Sequence, residues 1–85
     1  MVSSKNIRTL RAIFETPTRS DIRWVDIENL FRALGAEIKQ GSGSRVRIKL
    51  NGRNMTFHTP HPKPIIIKAA VRSTRRFLTE AGIKP

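Results

Sequence analysis

An alternating segment near the middle of the chain carries the residues best suited to chemistry. The residues from 45 to 50 are Arg-Val-Arg-Ile-Lys-Leu, and those from 54 to 58 are Asn-Met-Thr-Phe-His. Between them lies Asn51-Gly52, a pair that favours a two-residue β-turn because both central residues of that turn need positive φ. The pattern predicts a β-hairpin with one apolar side and one polar side.

The predicted turn also fixes which residues face each other across the hairpin. Arg45 falls opposite His58, and Arg47 falls opposite Thr56, with opposed Cβ atoms about 4.5–5.5 Å apart. The polar side carries Arg45, Arg47 and Lys49, and neither strand contains a carboxylate. Because a surface that serves only solubility normally mixes both signs of charge, we interpret this side as a phosphate-binding surface rather than a merely solvated face.

His58 is the candidate for catalysis on this surface. Imidazole has an unperturbed pKa of about 6.5, which suits proton transfer near neutral pH. A metal-independent ribonuclease needs a base for the ribose 2′-OH and cationic donors for the charge on the phosphate. The residues alone leave two alternatives equally open, a catalytic His58 and a surface histidine without a catalytic role.

The following segment, Thr59 to Pro64, contains three prolines and is predicted to be a loop. It carries His61, whose ring either packs on a neighbour in the turn or forms a metal-binding pair with His58. No carboxylate or cysteine lies nearby, and the whole chain lacks cysteine, which excludes disulfides, thiol catalysis and cysteine-based zinc sites. We expect no metal and no cofactor.

A second basic group lies near the C-terminus, on a predicted helix. Lys68 fits a solvated outer face, whereas Arg72, Arg75 and Arg76 recur at three- and four-residue spacing without an intervening acid. This stripe could bind phosphate or an acidic partner protein.

The overall charge agrees with a polyanionic partner. The 85 residues include 17 Lys and Arg against 6 Asp and Glu, and from Lys39 onward eleven basic residues accompany one acid, Glu80. Such an excess favours nucleic acid or an anionic membrane surface. Apolar runs reach only three residues, as in Ile65 to Ile67, which is too short to cross a bilayer. We expect no secretory leader, because the N-terminal residues lack an apolar core. We expect one cytoplasmic domain and no membrane association.

Hydrophobic periodicity predicts the elements that position these residues. Helices are expected over about 3–14, 25–34 and 66–80, and a strand over 36–40 precedes the glycine–serine loop 41–44. The predicted inner faces consist of Ile7, Leu10, Ile13 and Phe14; of Ile27, Leu30, Phe31 and Leu34; and of Ile67, Ala70, Val71, Thr74, Leu78 and Ala81. We expect Trp24 to pack at the start of the second helix. The order α-α-β-β-β-α predicts an α+β fold in which helices cover one face of a three-stranded antiparallel sheet.

The stretch from Ile22 to Ile83 resembles the HicA toxins of bacterial HicA–HicB toxin–antitoxin pairs. The matching features are the helix that ends in Leu34-Gly35, the glycine–serine loop, the hairpin, Pro60-His61-Pro62, and the ending from Arg75 to Ile83. The resemblance implies a fold like that of double-stranded-RNA-binding domains (dsRBD-like) over residues 21–85. Residues 1–20 would add an N-terminal helix and linker, either as further core or as an antitoxin-docking element.

The resemblance also implies a function: a bacterial endoribonuclease, or mRNA interferase, that cleaves mRNA and arrests translation until a HicB-like antitoxin covers its active face. The family's catalytic histidine follows Gly-Ser directly, but here Arg45 follows Gly43-Ser44, and the alternative pair Gly41-Ser42 is followed by Gly43. Our hypothesis is that His58 serves as the general base and Arg45 binds the scissile phosphate. Further RNA contacts are expected from Ser44, Arg47, Lys49, Thr56, His61, Lys63, Arg72, Arg75 and Arg76.

Two other functions fit the same basic surface. A non-catalytic RNA-binding module would show salt-dependent binding without cleavage. A DNA-binding regulator is the third, but the proline-containing linker between the first two helices does not resemble the tight turn of a helix-turn-helix. We therefore expect no direct DNA binding.

Overall fold

Three helices and one antiparallel sheet make up the fold in the computed structural model, which describes residues 3–60 and 64–85. The elements are α1 (Ser4–Ile13), α2 (Trp24–Ala33), β1 (Glu37–Gln40), β2 (Arg45–Leu50), β3 (Arg53–His58) and α3 (Lys68–Glu80). The strands lie in the order β1-β2-β3, and both neighbouring pairs are antiparallel. The predicted α+β fold with the order α-α-β-β-β-α is confirmed.

Local chemistry explains where the helices begin and end. The side chain of Ser3 accepts a hydrogen bond from the Asn6 N–H at 3.2 Å and so caps α1. Gly35, with φ of 83°, follows the C-terminus of α2 as predicted. The helix α3 begins two residues later than expected, because the backbone before it is extended: Ile65 forms an antiparallel bridge with Arg23, and Ile67 has a ψ of 158°.

The hairpin follows the sequence prediction closely. Asn51 and Gly52 have φ of 50° and 80°, the positive values that a type I′ turn requires. The register runs from Arg45 opposite His58 to Leu50 opposite Arg53, as predicted. The Asn51 side chain also donates to the carbonyl of Ala81 at 2.8 Å, which joins the turn to the end of α3.

The core lies between the helices and one face of the sheet. On the sheet side it contains Val46, Ile48, Leu50 and Phe57, all at most 3% exposed. The ring of Phe57 stacks on Trp24 at the start of α2, with 4.6 Å between ring centroids. Full burial of one such side chain contributes about 1.5–3 kcal/mol to stability, so this face fixes the orientation of the hairpin.

Two residues that we expected in the core are not there. Ile7 is 40% exposed and Ile67 is 72% exposed. Buried α1 residues come from its second half, which leaves Ile7 in the first turn at the rim. Ile67 precedes α3 in an extended conformation, which takes its side chain off the helical stripe. Phe77, which was not predicted to be inside, is 5% exposed and packs edge-on against Phe31 at 5.9 Å.

The N-terminal helix belongs to the same core as the rest of the chain. Leu10 and Ile13 of α1 are buried with side chains of α2, α3 and the sheet. The Lys5 ammonium lies 3.6 Å from a carboxylate oxygen of Asp26 on α2. In the described residues, no helix has the length and apolarity needed to cross a membrane.

Candidate nucleic-acid interface

The sheet face that points away from the helices is polar and basic. Because side chains alternate between faces, the register places Lys39, Arg47 and Thr56 in one row across the three strands. The neighbouring row at the turn end consists of Glu37, Lys49 and Asn54, and Arg45 pairs with His58 at the loop end. All eight of these residues are exposed. We call this set the open face.

Arg45 and His58 lie beside a compact loop that holds the end of the hairpin. The Gly41 N–H donates to the Arg45 carbonyl at 2.8 Å, and the Arg45 N–H donates to the carbonyl of Ser42 at 3.2 Å. Across the hairpin, the carbonyl of Ser44 accepts from both the N–H and the hydroxyl of Thr59, at 2.9 and 3.0 Å. These bonds continue the strand pairing past Arg45 and His58, so both backbones are fixed while both side chains face solvent.

The first strand adds two charged residues to the open face that sequence reasoning missed. Lys39 lies opposite Arg47, and Glu37 lies opposite Lys49. The signal was present in the alternation of exposed Glu37 and Lys39 with half-buried Ile38, but nothing in the sequence fixed the register of β1 against β2. As a result, positive charge is concentrated toward the Arg45–His58 end, and the one carboxylate of the face lies near the turn.

The basic side chains of the open face have no protein partners within the described residues. No hydrogen bond or ion pair there involves the side chains of Arg45, Arg47, Lys49 or His58. Their donors are therefore accessible to an anionic ligand. Over the same part of the chain, no cluster of three or more His, Cys, Asp or Glu residues has a spacing that would hold a metal ion.

The arginines of α3 do not form one surface with the open face, because the helices cover the opposite side of the sheet. Arg75 is half-buried, and its guanidinium donates to the carbonyls of Ile13 and Glu15 at 2.9 and 3.0 Å. Arg72 is exposed, and the exposed Arg76 borders a cavity between α3 and β3. The spacing of Arg72, Arg75 and Arg76 predicts one shared role in binding, but in the structure one is half-buried and hydrogen-bonded to α1 and its following turn, whereas the other two are exposed.

The other predicted site residues fall into two groups. Ser44 lies exposed in the loop, and Thr56 lies exposed in the middle of β3. His61 and Lys63 lie outside the described residues.

The candidate site of this small basic protein is therefore an exposed cationic sheet face that carries one histidine and is backed by helices on its other side. Residues 24–83 match the family described as the HicA toxin of bacterial toxin–antitoxin. The match extends from the first residue of α2 past the end of α3 and leaves α1 outside. The chain belongs to the HicA toxin family, and the resemblance noted from its motifs is confirmed. This family implies an antitoxin partner. No curated protein and no solved structure matches the chain.

Proposed function

We propose that this toxin-family protein is a metal-independent endoribonuclease that cleaves mRNA and thereby arrests translation. Family membership supports the toxin role. The observation that carries the proposed chemistry is the pairing of Arg45 with His58 on an exposed face. An imidazole and a guanidinium on directly opposed residues can reach one ribose and its neighbouring phosphate.

The proposed mechanism assigns one step to each side chain. His58 takes the proton from the ribose 2′-OH, and the 2′ oxygen attacks the adjacent phosphorus. Arg45 donates hydrogen bonds to the phosphate oxygens, where negative charge grows in the transition state. The bond from phosphorus to the 5′ oxygen breaks, that oxygen takes up a proton, and the upstream fragment ends in a 2′,3′-cyclic phosphate.

The rest of the open face would hold the RNA strand in register with this pair. Arg47 and Lys49 follow Arg45 at two-residue spacing, and Lys39 lies beside Arg47 on β1. Phosphate contacts of this kind position nucleic acid without reading its sequence. Ser44 and Thr56 complete the proposed contacts of this face. Arg76, which borders the cavity beside Thr56, and the exposed Arg72 of α3 are proposed as contacts outside it. In the same proposal, the antitoxin neutralises the protein by covering the open face.

Replacing His58 by Ala tests the chemistry directly. Loss of a general base lowers a rate by about 10²–10⁴-fold, so cleavage of long RNA in the presence of EDTA should fall by that factor while RNA binding persists. Arg53→Ala is a matched control, because Arg53 is exposed on the same strand but lies opposite Leu50, off the open face. It should cleave like the unchanged protein.

The assay also separates the alternatives. A His58→Ala protein that cleaves at the original rate would remove His58 from the mechanism. An unchanged protein that binds RNA in a salt-dependent manner but never yields cyclic-phosphate ends would instead be a non-catalytic RNA-binding module.

A further inference from the structure

Within residues 3–60 and 64–85, no strand pairs with the outer edge of β3, so this edge can accept another strand. Hydrogen-bonded and non-hydrogen-bonded pairs alternate along an antiparallel ladder. The Thr59 N–H donates to the carbonyl of Ser44, which makes Ser44 and Thr59 a hydrogen-bonded pair. The adjacent pair in the β2–β3 ladder, Arg45 and His58, is therefore of the non-hydrogen-bonded kind. By the same alternation, the N–H and C=O groups of Asn54, Thr56 and His58 point away from β2, toward the open edge.

A groove runs along this edge between β3 and the first half of α3. Its main cavity has a volume of about 390 Å³. The wall on the β3 side includes Met55 and Phe57, and α3 contributes small residues at helical spacing, Ala69, Ala70 and Ser73. Because these side chains are short, the helix leaves room beside the strand. A further cavity of about 220 Å³ continues the groove toward Arg76 and Glu80.

The groove carries one strongly exposed apolar side chain. Ile67, the most exposed large apolar side chain in the described chain at 72%, lines the main cavity together with buried Ile66 and half-buried Met55. Exposure of an apolar side chain to water is unfavourable, and its burial against another apolar surface is favourable. Its exposure is explained if a ligand with apolar side chains packs against it.

The other sheet edge is less suited to receiving a strand. β1 has four residues against six in β3, and two of its four side chains, Glu37 and Lys39, are charged and exposed. Short, charged edge strands are a common protection against unwanted pairing. β3 lacks that protection, since it has no proline and the only charged side chain on its helix-facing side is Arg53, next to the turn.

Charge determines which kind of strand the groove accepts. Residues of an added strand that lie opposite Thr56 and His58 share the open face with them, within about 4.5–5.5 Å between Cβ atoms. That face carries Arg45, Arg47 and Lys39 without protein partners in the described structure. Acidic side chains are therefore favoured there, while the alternate residues point into the groove beside Phe57 and are favoured when apolar.

We propose that the antitoxin partner binds by adding an extended segment of alternating acidic and apolar residues to the free edge of β3, as a fourth strand. This inference rests on the proposed function for the existence of a neutralising partner. The added strand would hydrogen-bond to the backbone of Asn54, Thr56 and His58 and seat its apolar side chains in the groove. An acidic residue opposite His58 would pair with Arg45 and block the access of RNA to both.

Hydrogen exchange with a synthetic peptide tests the proposal without RNA. The probe alternates valine and glutamate along about seven residues, a length that matches β3. In NMR-detected exchange, binding should protect the amides of Asn54, Thr56 and His58 by at least about tenfold, since no strand of the described structure pairs with this edge. A peptide with lysine in place of glutamate should bind at least about tenfold more weakly, as should one whose edge-facing amides are N-methylated.

Matched variants at the two edges give a second test. Thr56→Pro removes an N–H that faces the β3 edge, whereas Gln40→Pro removes one that faces the β1 edge; both positions are exposed. Peptide binding should be lost in the first variant and kept in the second. The N-methylated peptide gives the same information with unchanged protein if Thr56→Pro does not fold.

Four outcomes would overturn the proposal. The first is that the N-methylated peptide binds as tightly as the unmethylated one, and the second is that the peptide protects Ile38 and Gln40 instead of β3. The third is protection that increases with protein concentration in the absence of peptide, which would show that a second copy of the chain occupies the edge. The fourth is that single-stranded RNA, but not the peptide, shifts the NMR signals of the groove residues. None of these readouts depends on cleavage. Failure of the ribonuclease activity and failure of the docking mode are therefore separate results.

Discussion

Arg75 on α3 and Arg47 on β2 carry the same guanidinium group in different surroundings. Arg75 is half-buried and donates to the carbonyls of Ile13 and Glu15, with a longer contact of 3.4 Å to the hydroxyl of Thr18. Arg47 is exposed, and no side-chain hydrogen bond or ion pair of it is found in the described structure. Each residue adds one positive charge to the composition, so the composition does not distinguish them. The neighbours of each guanidinium determine its role.

The partners of Arg75 lie at the end of the N-terminal helix. Ile13 is the last residue of α1, and its carbonyl is one of those that a helix leaves without an internal partner. A cation at this end also interacts favourably with the helix dipole. Arg75 therefore joins α3 to α1, and it stabilises the part of the chain that lies outside the HicA family match.

Among the arginine variants, the largest effect on stability is expected from Arg75→Ala. Hydrogen bonds from a charged donor contribute about 1.5–3 kcal/mol, and the substitution leaves carbonyls without their donor. The free energy of unfolding measured by urea denaturation should fall by about that amount. Arg72→Ala on the exposed side of the same helix is the control and should change it by less than about 0.5 kcal/mol. Equal losses in the two variants would contradict the structural role of Arg75.

The hairpin shows what local sequence can determine. Alternation and Asn51-Gly52 together fix the turn, the register and the face of each side chain, because the period of a strand is two and the turn length sets the pairing. The opposition of Arg45 and His58 followed from these local rules and is confirmed. Its proposed chemistry is a separate matter that the register alone does not test.

The contacts of Arg75 and Lys39 could not be predicted in the same way. Arg75 bonds to residues about sixty positions earlier in the chain, and Lys39 joins the open face through a pairing between β1 and β2 that no tight turn determines. Ile67 was misplaced for a related reason. The segment before α3 is extended where Ile65 pairs with Arg23, and this long-range pairing keeps Ile67 off the helical stripe.

A smaller effect, on binding rather than stability, is expected from Arg47→Ala. Removing one phosphate contact should weaken the binding of single-stranded RNA and reduce the slope of log affinity against log salt by about 0.7. Stability should change by less than about 0.5 kcal/mol, because the side chain is exposed and no hydrogen bond or ion pair of it is found in the described residues. Fluorescence anisotropy at several salt concentrations measures the slope.

Arg53→Ala removes the same charge from the same hairpin but off the open face, and its slope should stay near that of the unchanged protein. If the two variants lost the same slope, RNA would be responding to the net charge of the molecule, and the distinction between the open face and the other arginines would fail.

The smallest effect is expected from Arg19, which represents a third environment for the same group. Arg19 is exposed and forms ion pairs with Asp21 at 2.6 Å and Glu15 at 2.8 Å. The hydrogen bond from Arg19 holds the pKa of Asp21 below its usual value. Exposed ion pairs of this kind contribute little and weaken with salt, so Arg19→Ala should barely change the unfolding midpoint at neutral pH.

The pH dependence of the stability difference between the unchanged protein and Arg19→Ala shows whether the ion pair with Asp21 causes it. Because the pKa of Asp21 is lower in the folded state than in the unfolded state, its contribution is fully present above the unfolded pKa of about 3.9 and is lost as the pH falls through the folded pKa. The stability difference between the unchanged protein and Arg19→Ala should therefore vanish in acid, and the NMR titration midpoint of Asp21 should rise in the variant. Arg11→Ala, at an exposed position on α1, should leave that midpoint in place. An Asp21 midpoint that moves equally in both variants would mean that general positive charge, not the contact with Arg19, lowers its pKa.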